Sequence, residues 1–313
     1  MRGRKRLVWE SPPAGLGKGR RESWPVPSLL LLAAGLPVAE PSVSAEPDRP
    51  TPDKSGYHLF NPTPGPLLRE LSADRPDKTD SPFTVDAGHF QLEMDFANLT
   101  YNGPNPERSQ GRFAAVEIAP LNFKIGLFND LDFQLVQTAY RWERIDNPAA
   151  GTVDRKAGFD GLTPRIKLNL VGNDGGFFAL ALIPFVKLPW SQGHLGNDAI
   201  EGGLGLPYSF DVPGWEVGFQ STLHLNRNGG GSGYHTVFDN SVSLGHRLFG
   251  QLSLSAEFFS GVSMESGAGW IGTVDTWLTY QANPNLRLDA GIYIGVTPAA
   301  DDWHPFVGMT WRY

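Results

Sequence analysis

Histidine is the side chain best suited to proton transfer near neutral pH, and the sequence contains seven. None of them is followed two positions later by serine, the pair that an outer-membrane lipid hydrolase would use. His224-Leu225-Asn226 comes nearest, but asparagine cannot replace the hydroxyl nucleophile. We therefore interpret His224 as a polar side chain of a strand, and the chain as a non-enzyme.

Metal and cofactor chemistry also lacks support in the sequence. The 313 residues include no cysteine, which excludes disulfides, thiolate metal sites and cysteine nucleophiles. No HExxH, Walker or EF-hand pattern occurs, so we predict no metal and no cofactor. The net charge of -7 argues against nucleic acid as a partner.

Charged side chains at every second position are the remaining chemical signal. Glu93 and Asp95, for example, alternate with Leu92, Met94 and Phe96. This period of two predicts strands with one polar and one apolar face. The following residues fall on the polar face and are predicted to line a lumen: Glu93, Asp95, Glu117, Lys124, Arg165, Lys167, Glu201, Asp211, Glu216, His224, Arg247, Glu257, Asp275, Arg287, Asp289 and Arg312.

Similar alternation recurs along the chain and predicts an all-β fold. Twelve strands are expected, starting near residues 89, 111, 131, 160, 177, 200, 215, 235, 251, 270, 286 and 304. Long and short connections alternate between them, the second long one running from Asn147 to Phe159. An even strand number with this alternation favours an antiparallel transmembrane β-barrel over a periplasmic β-sandwich.

Two predicted strands deviate from simple alternation. In the second strand the polar and apolar faces exchange near Ala119-Pro120, which a bulge would explain. The fifth strand, from Phe177 to Leu188, is apolar on both faces except for Lys187. Its inner face is either covered by an inserted segment or wrongly assigned.

The first 88 residues divide into two parts. Residues 1–45 combine basic charge, an apolar run and Val43-Ser44-Ala45, which predicts a signal peptide; a membrane anchor is the alternative. Residues 46–88 are rich in proline and are predicted to form an extended leader before a barrel over residues 89–313. Cleavage of the signal would place the protein in the outer membrane of a Gram-negative-type bacterium.

The C-terminus carries apolar or aromatic side chains at alternate positions: Val307, Met309, Trp311 and Tyr313. We interpret this stripe as a lipid-facing last strand and as a signal for the barrel-assembly machinery. Outer-membrane lipid and that machinery are therefore the expected partners.

The segment around residues 74–93 resembles the opening signature of the family named for the MetA pathway of phenol degradation. The motif residues are Asp74, Arg75, Pro76, Asp77, Lys78, Ser81, Pro82 and Gly88. Ala73 stands where many members have threonine, a minor departure. The resemblance implies a small envelope barrel that passes aromatic or other small compounds, and it assigns no catalytic role.

The leader has two interpretations. Arg75 with Asp74 and Asp77 would bind lumen charges as an internal plug, or the motif would form a fixed turn that registers the first strand. The predicted function is a passive channel for a small-molecule solute, with aromatic specificity resting on the resemblance alone. A structural or interaction barrel with a sealed lumen is the alternative, and a lipid hydrolase is a more remote one.

Overall fold

The computed structural model describes residues 52–104, 110–193, 195–196 and 198–313. The predicted signal peptide, residues 1–45, lies outside the described residues. Within them the chain forms twelve strands: β1 (Phe90–Asn102), β2 (Arg112–Phe128), β3 (Leu131–Asn147), β4 (Thr152–Val171), β5 (Phe178–Lys187), β6 (Glu201–Val212), β7 (Trp215–Arg227), β8 (Tyr234–Phe249), β9 (Leu252–Ser263), β10 (Ile271–Asn283), β11 (Leu286–Gly295) and β12 (Trp303–Arg312). A 3-10 turn at Gly65–Leu67 precedes them. In these described ranges no helix has the length and apolar character needed to cross a membrane.

The strands close into an antiparallel barrel, as the sequence predicts. Each strand pairs with its neighbours in the chain, and β1 pairs with β12. Closure involves the last residue, because the Phe90 amide donates to the Tyr313 carbonyl (3.0 Å) and the Tyr313 amide donates back (2.8 Å). The sheet therefore has no unpaired edge.

The two faces of the sheet have opposite polarity. On β9, Leu254, Phe258 and Val262 point outward and are exposed, whereas Ser255 and Glu257 point inward and are buried. Exposed Trp215 and Tyr280 lie near one end of the barrel, and exposed Trp190, Trp270 and Trp303 near the other. An apolar exterior flanked by aromatic side chains is typical of barrels that contact lipid.

Connection lengths distinguish the two ends, with one correction. The short-turn end carries residues 129–130, 172–177, 213–214, 250–251 and 284–285. At the opposite, long-loop end, the predicted loop from Asn147 to Phe159 is wrong, because β3 and β4 stay paired as far as Asn147 and Thr152. The charges of this stretch pair across the two strands, as in the contact between Lys156 and Glu143 (3.3 Å).

The exchange of faces expected near Ala119-Pro120 is present and extends beyond β2. Ala115 and Lys124 both point inward although their parity differs, and Ala119 between them has a φ of 50°. The same exchange runs through β1, β3 and β4, where Gly161 has a φ of 65°. Neighbouring strands must follow one another because their backbone hydrogen bonds fix the register.

The double apolar character of β5 also has a structural explanation. Ala179, Ala181 and Ile183 form its inner face and are buried inside the barrel. Its outer face carries the exposed Val186. The strand assignment is correct, because the apolar side chains of the inner face are enclosed inside the barrel.

The terminal pairing yields a test of closure. Deleting Trp311–Tyr313 removes the backbone bonds to Phe90 and the pair between Leu92 and Trp311. We expect the shortened chain to lose the gel-mobility difference between unheated and heated samples that marks a closed barrel. Tyr313→Phe retains the backbone bonds and serves as the control. A shortened chain with unchanged heat-modifiable mobility would contradict the role given to this pairing.

Candidate functional site in the barrel lumen

The leader enters the barrel from the short-turn end. Before it enters, Lys54 contacts Asp86 (3.5 Å) and Asp174 (2.6 Å), and Arg69 contacts the same two carboxylates (3.4 and 3.1 Å). Asp174 belongs to the connection between β4 and β5. Both ends of the inserted segment are therefore fixed at the rim by buried or half-buried charges.

Residues 71–84 form a loop inside the barrel, here called the lumen loop. Its base is closed by Ser72 and Ser81, whose hydroxyl oxygens are 2.5 Å apart, and the Ser81 amide donates to the Asp74 carboxylate (3.0 Å). The residues between, Arg75–Asp80, form the tip. After the loop, the Val85 amide donates to Asp132 (3.0 Å), and Gly88, with a φ of 77°, turns the chain into β1.

Asp74 is the acidic centre of the loop. Its carboxylate contacts Lys167 (2.5 Å), Lys124 (2.6 Å) and Arg165 (3.3 Å), which project from β2 and β4. Burial alone would raise the pKa of this carboxyl, but the three cations hold the pKa well below its usual range. Glu93 completes the cluster, because it pairs with Lys124 and accepts the Asp74 amide (3.1 Å).

Arg75 is the first cation of the tip. Its guanidinium donates to both oxygens of Asp289 (2.5 and 3.1 Å) and to Asp95 (2.6 Å). Burial would lower the pKa of Arg75, but the two carboxylates raise it above its usual value. Glycine is needed at position 308, since a Cβ there would overlap the guanidinium.

Lys78 is the second cation and lies in a partly aromatic site. Its ammonium group donates to Asp275 (2.5 Å) and Thr273 (2.8 Å). The same nitrogen is 4.0 Å from the centre of the Tyr293 ring and 5.0 Å from that of Phe259. A carboxylate with aromatic faces is a favourable environment for an ammonium group.

Wall residues also hold the backbone of the tip. The Glu257 carboxylate accepts the amides of Lys78 (3.0 Å) and Thr79 (2.9 Å) and the Thr79 hydroxyl (2.7 Å). Gln220 accepts the Asp80 amide (2.5 Å), and the Asp80 carboxylate is 3.3 Å from Arg165. The tip is thus bound from both sides of the barrel.

Asp77 has the opposite electrostatic environment to Asp74. It keeps some accessible surface toward a cavity but is otherwise enclosed by protein. Burial raises the pKa of its carboxyl well above the usual value, and the charge of Glu257 adds to the shift. The pKa values of the two aspartates are therefore shifted in opposite directions.

Two cavities adjoin the loop tip. One, of about 390 Å³, is bordered by Lys78 and Asp80 and by strand residues that include Phe185, His224 and Phe259. The other, of about 670 Å³, is bordered by most of the lumen loop and opens among Asp211, Glu216 and other residues of the short-turn end. Asp80 borders both cavities, so the tip lies between them.

The structure brings ten of the sixteen lumen-facing candidates against the leader. These are Glu93, Asp95, Lys124, Arg165, Lys167, Glu257, Asp275, Arg287, Asp289 and Arg312. Arg287 and Arg312 donate to the carbonyls of Leu71 (3.0 Å) and Arg69 (2.8 Å). Of the motif residues not yet placed, Pro76 accepts a hydrogen bond from Tyr293, and Pro82 accepts one from Asn169 (2.9 Å).

The other six candidates lie away from the loop. Glu117 pairs with Arg141 (2.8 Å), Glu201 with Lys187 (3.2 Å) and His224 with Asp239 (2.9 Å). Asp211, Glu216 and Arg247 are exposed on strand segments near the short-turn end.

Sequence reasoning missed several loop-binding residues. Asp132 and Gln220 are on inward positions of β3 and β7 but were not among the predicted lumen-lining residues. Tyr293 was not among them either, and no pattern indicated its contact with Pro76. Arg69 and Asp86 belong to the leader, where no periodicity exists to mark them.

Asp74 provides a test of the buried charge cluster. We expect Asp74→Asn to destabilise the protein by about 3–5 kcal/mol at pH 7, because three buried cations lose their shared carboxylate. Since the folded-state pKa is depressed, Asp74 stabilises the fold above the unfolded pKa of about 4 and progressively less below it. The difference between the two proteins should therefore shrink as the pH falls below 4.

Denaturant unfolding in detergent, followed by circular dichroism from pH 7 to pH 3, measures this difference. Asp53→Asn, at an exposed leader position, is the matched control and should leave stability unchanged. Equal stability of the Asp74→Asn variant and the unsubstituted protein at pH 7 would contradict the cluster's role.

Comparison with known proteins gives structural likenesses and a family match. The barrel is similar to the NanC porin (TM-score 0.46, 8% identity, 70% of this chain and 98% of that chain). It is also similar to the translocator domain of the autotransporter NalP from Neisseria meningitidis (0.45, 9%, 72% and 88%) and to outer membrane phospholipase A from Escherichia coli (0.38, 12%, 77% and 95%). No curated protein matches the sequence. The family described as "Putative MetA-pathway of phenol degradation" matches residues 73–313, most of the chain, and the protein therefore belongs to this family.

Proposed function

We propose that the protein is an outer-membrane channel for small solutes whose lumen is closed by its own leader. One observation carries the proposal: the tip, Arg75–Asp80, lies between two cavities of about 390 and 670 Å³ and contacts opposite walls, at Asp95 on β1 and Gln220 on β7. Solute passage through the lumen requires this tip to move. The apolar exterior and closed sheet support a location in a membrane.

The way the tip is held is compatible with movement. Its contacts are hydrogen bonds and ion pairs to side chains such as Asp289, Glu257 and Gln220. The barrel has its own complete ladder of backbone bonds and does not use the tip to close. Because Ser72 and Ser81 meet at the base, the tip is a separate protrusion that can be displaced without pulling β1 out of the sheet.

The solute class and the cellular context are part of the proposal. Family membership and the Phe185 and Phe259 side chains beside the smaller cavity support passage of small, including aromatic, compounds. The mature protein would follow cleavage near residue 45 and assembly by the barrel-assembly machinery acting on the C-terminal stripe. Outer-membrane lipid would then cover the exterior.

A sealed structural barrel is the competing function. The ion pairs between the tip and the walls favour this function, because both charges of each pair must be hydrated again before the lumen opens. The two functions differ in one measurable property, the conductance of a barrel whose tip has been removed.

The test replaces Arg75–Asp80 with two glycines. The Asp74 carboxylate and the Ser81 amide are already 3.0 Å apart, so a short linker can close the gap while the rim contacts remain. In planar bilayers we expect steady conductance from the shortened protein and small or intermittent conductance from the full chain. Phe60→Ala, at an exposed leader position outside the barrel, should behave as the full chain does.

Folding of every variant is checked by heat-modifiable gel mobility before recording. If the shortened protein is folded and conducts no ions, the channel hypothesis is wrong and the sealed barrel is favoured. If the full chain conducts as steadily as the shortened one, the closing role of the tip is wrong.

A further inference from the structure

The wall sites that hold Arg75 and Lys78 have the composition of cation-binding sites. Asp95 and Asp289 clamp the guanidinium of Arg75 from two strands, β1 and β11. Asp275, Thr273 and the rings of Tyr293 and Phe259 surround the ammonium of Lys78. Both sites are built from barrel residues and would persist when the tip leaves.

The charge balance of the walls changes when the tip is displaced. Four carboxylates lose their tip partners: Asp95, Glu257, Asp275 and Asp289. Lys124 and Lys167 keep their own carboxylate partners, because Glu93 on β1 and Asp74 at the base of the loop both lie outside the tip. Arg165 loses Asp80 but retains Asp74 (3.3 Å). The newly accessible surface is therefore strongly acidic.

Asp275 retains unused binding capacity even in the closed state. It is fully buried, and its Oδ1 atom has no hydrogen-bond partner among the described residues. A buried carboxylate oxygen without a donor is unfavourable. A ligand with more than one N–H donor, such as a guanidinium or a primary ammonium, would satisfy it.

The position of the Lys78 site is suited to solute entry. Lys78 and Phe259 border the smaller cavity, together with Phe185, His224 and Asp239. His224 and Asp239 belong to strand segments on the long-loop side of Gln220 and Ser241, which contact the tip. A solute entering from the long-loop end would therefore reach the site around the Lys78 ammonium group directly.

We propose that the walls around Asp275 and Asp289 bind small organic cations, with guanidinium or ammonium groups, and that Arg75 and Lys78 occupy these positions as internal ligands in the closed state. The inference rests on the proposed channel function and specifies its solute class. These sites would favour positively charged solutes, whether or not the solute also has the aromatic character suggested by family membership.

Liposomes containing the shortened protein, with two glycines in place of Arg75–Asp80, test the preference. The probes are agmatine, which carries a guanidinium and an ammonium group, uncharged arabinose and the anion benzoate. We expect agmatine to enter on the order of tenfold faster than arabinose, because an acidic constriction concentrates cations, and benzoate to enter more slowly than arabinose. A potassium chloride gradient should give a cation-selective reversal potential.

Charge-neutralising variants assign the preference to the wall sites. In the shortened protein, Asp275→Asn combined with Asp289→Asn should remove most of the advantage of agmatine. Asp53→Asn combined with Asp154→Asn is the matched control, because these carboxylates are exposed and border neither cavity, so their removal should have little effect.

A second measurement keeps the inference testable if excision of the tip prevents folding. In the full-length Arg75→Ala/Lys78→Ala variant both sites are vacated while the loop backbone remains. Isothermal titration in detergent should detect agmatine binding to this variant and none to the unsubstituted protein. The Asp275→Asn/Asp289→Asn substitutions should abolish that binding.

The outcomes separate the two proposals. Permeation of all three probes at equal rates, or faster entry of benzoate, together with no agmatine binding by titration, overturns the cation inference and leaves the channel function intact. Agmatine binding without permeation of any probe supports the cation sites and overturns the channel function. Neither binding nor permeation overturns both.

Discussion

The charges that are buried between the lumen loop and the sheet must be compensated, because burial separates them from water. The loop sequence meets this constraint by changing sign along its length. Asp74 faces the basic side chains of β2 and β4. Arg75 faces Asp95 and Asp289, and Lys78 faces Asp275. Buried pairs contribute little when intact but are costly to break, so the arrangement fixes the position of the loop more than it stabilises the fold.

The barrel does not need the loop in order to close, but the charges on its inner wall need the loop as a partner. The sheet is closed by backbone hydrogen bonds, including those between Phe90 and Tyr313, which involve no charged group. The walls, in contrast, leave buried like charges close together when the loop is absent, as with Lys124 and Lys167 around Asp74. An empty lumen therefore needs water or a solute with complementary charge, which is the physical basis for connecting closure with solute binding.

The barrel could be predicted from the sequence because alternation within each strand separates its polar face from its apolar face. Alternation such as that of Leu92, Glu93 and Met94 predicted the strands and their number, and the terminal stripe predicted the last one. The prediction failed where charge is used within strands, at Asp154, Arg155 and Lys156 of β4, since composition alone cannot distinguish paired charges from a loop. The bulge at Ala119 was recognised in β2. Its continuation through three other strands could not be predicted, because the sequence of one strand does not show which residues of the neighbouring strands pair with it.

The partners of the lumen loop were less accessible to sequence reasoning. Alternation places a charge on the inner face but does not give its height in the barrel or the path of a non-periodic segment. Asp77 illustrates the limit: grouped with Asp74 and Arg75 as a motif charge, it has a raised pKa beside Glu257, while Asp74 has a lowered one. Only the three-dimensional register separates these two aspartates.

The most direct test of the account locks the tip to the wall. The hydroxyl oxygens of Thr79 and Ser241 are 2.7 Å apart, and the chain has no native cysteine to interfere with a Thr79→Cys/Ser241→Cys disulfide. We expect the disulfide to form, as shown by mass spectrometry of the linked peptides, and the conductance in bilayers to be low when the disulfide is oxidised and to rise on reduction. A barrel that conducts equally with the disulfide intact would contradict the claim that this loop closes the lumen.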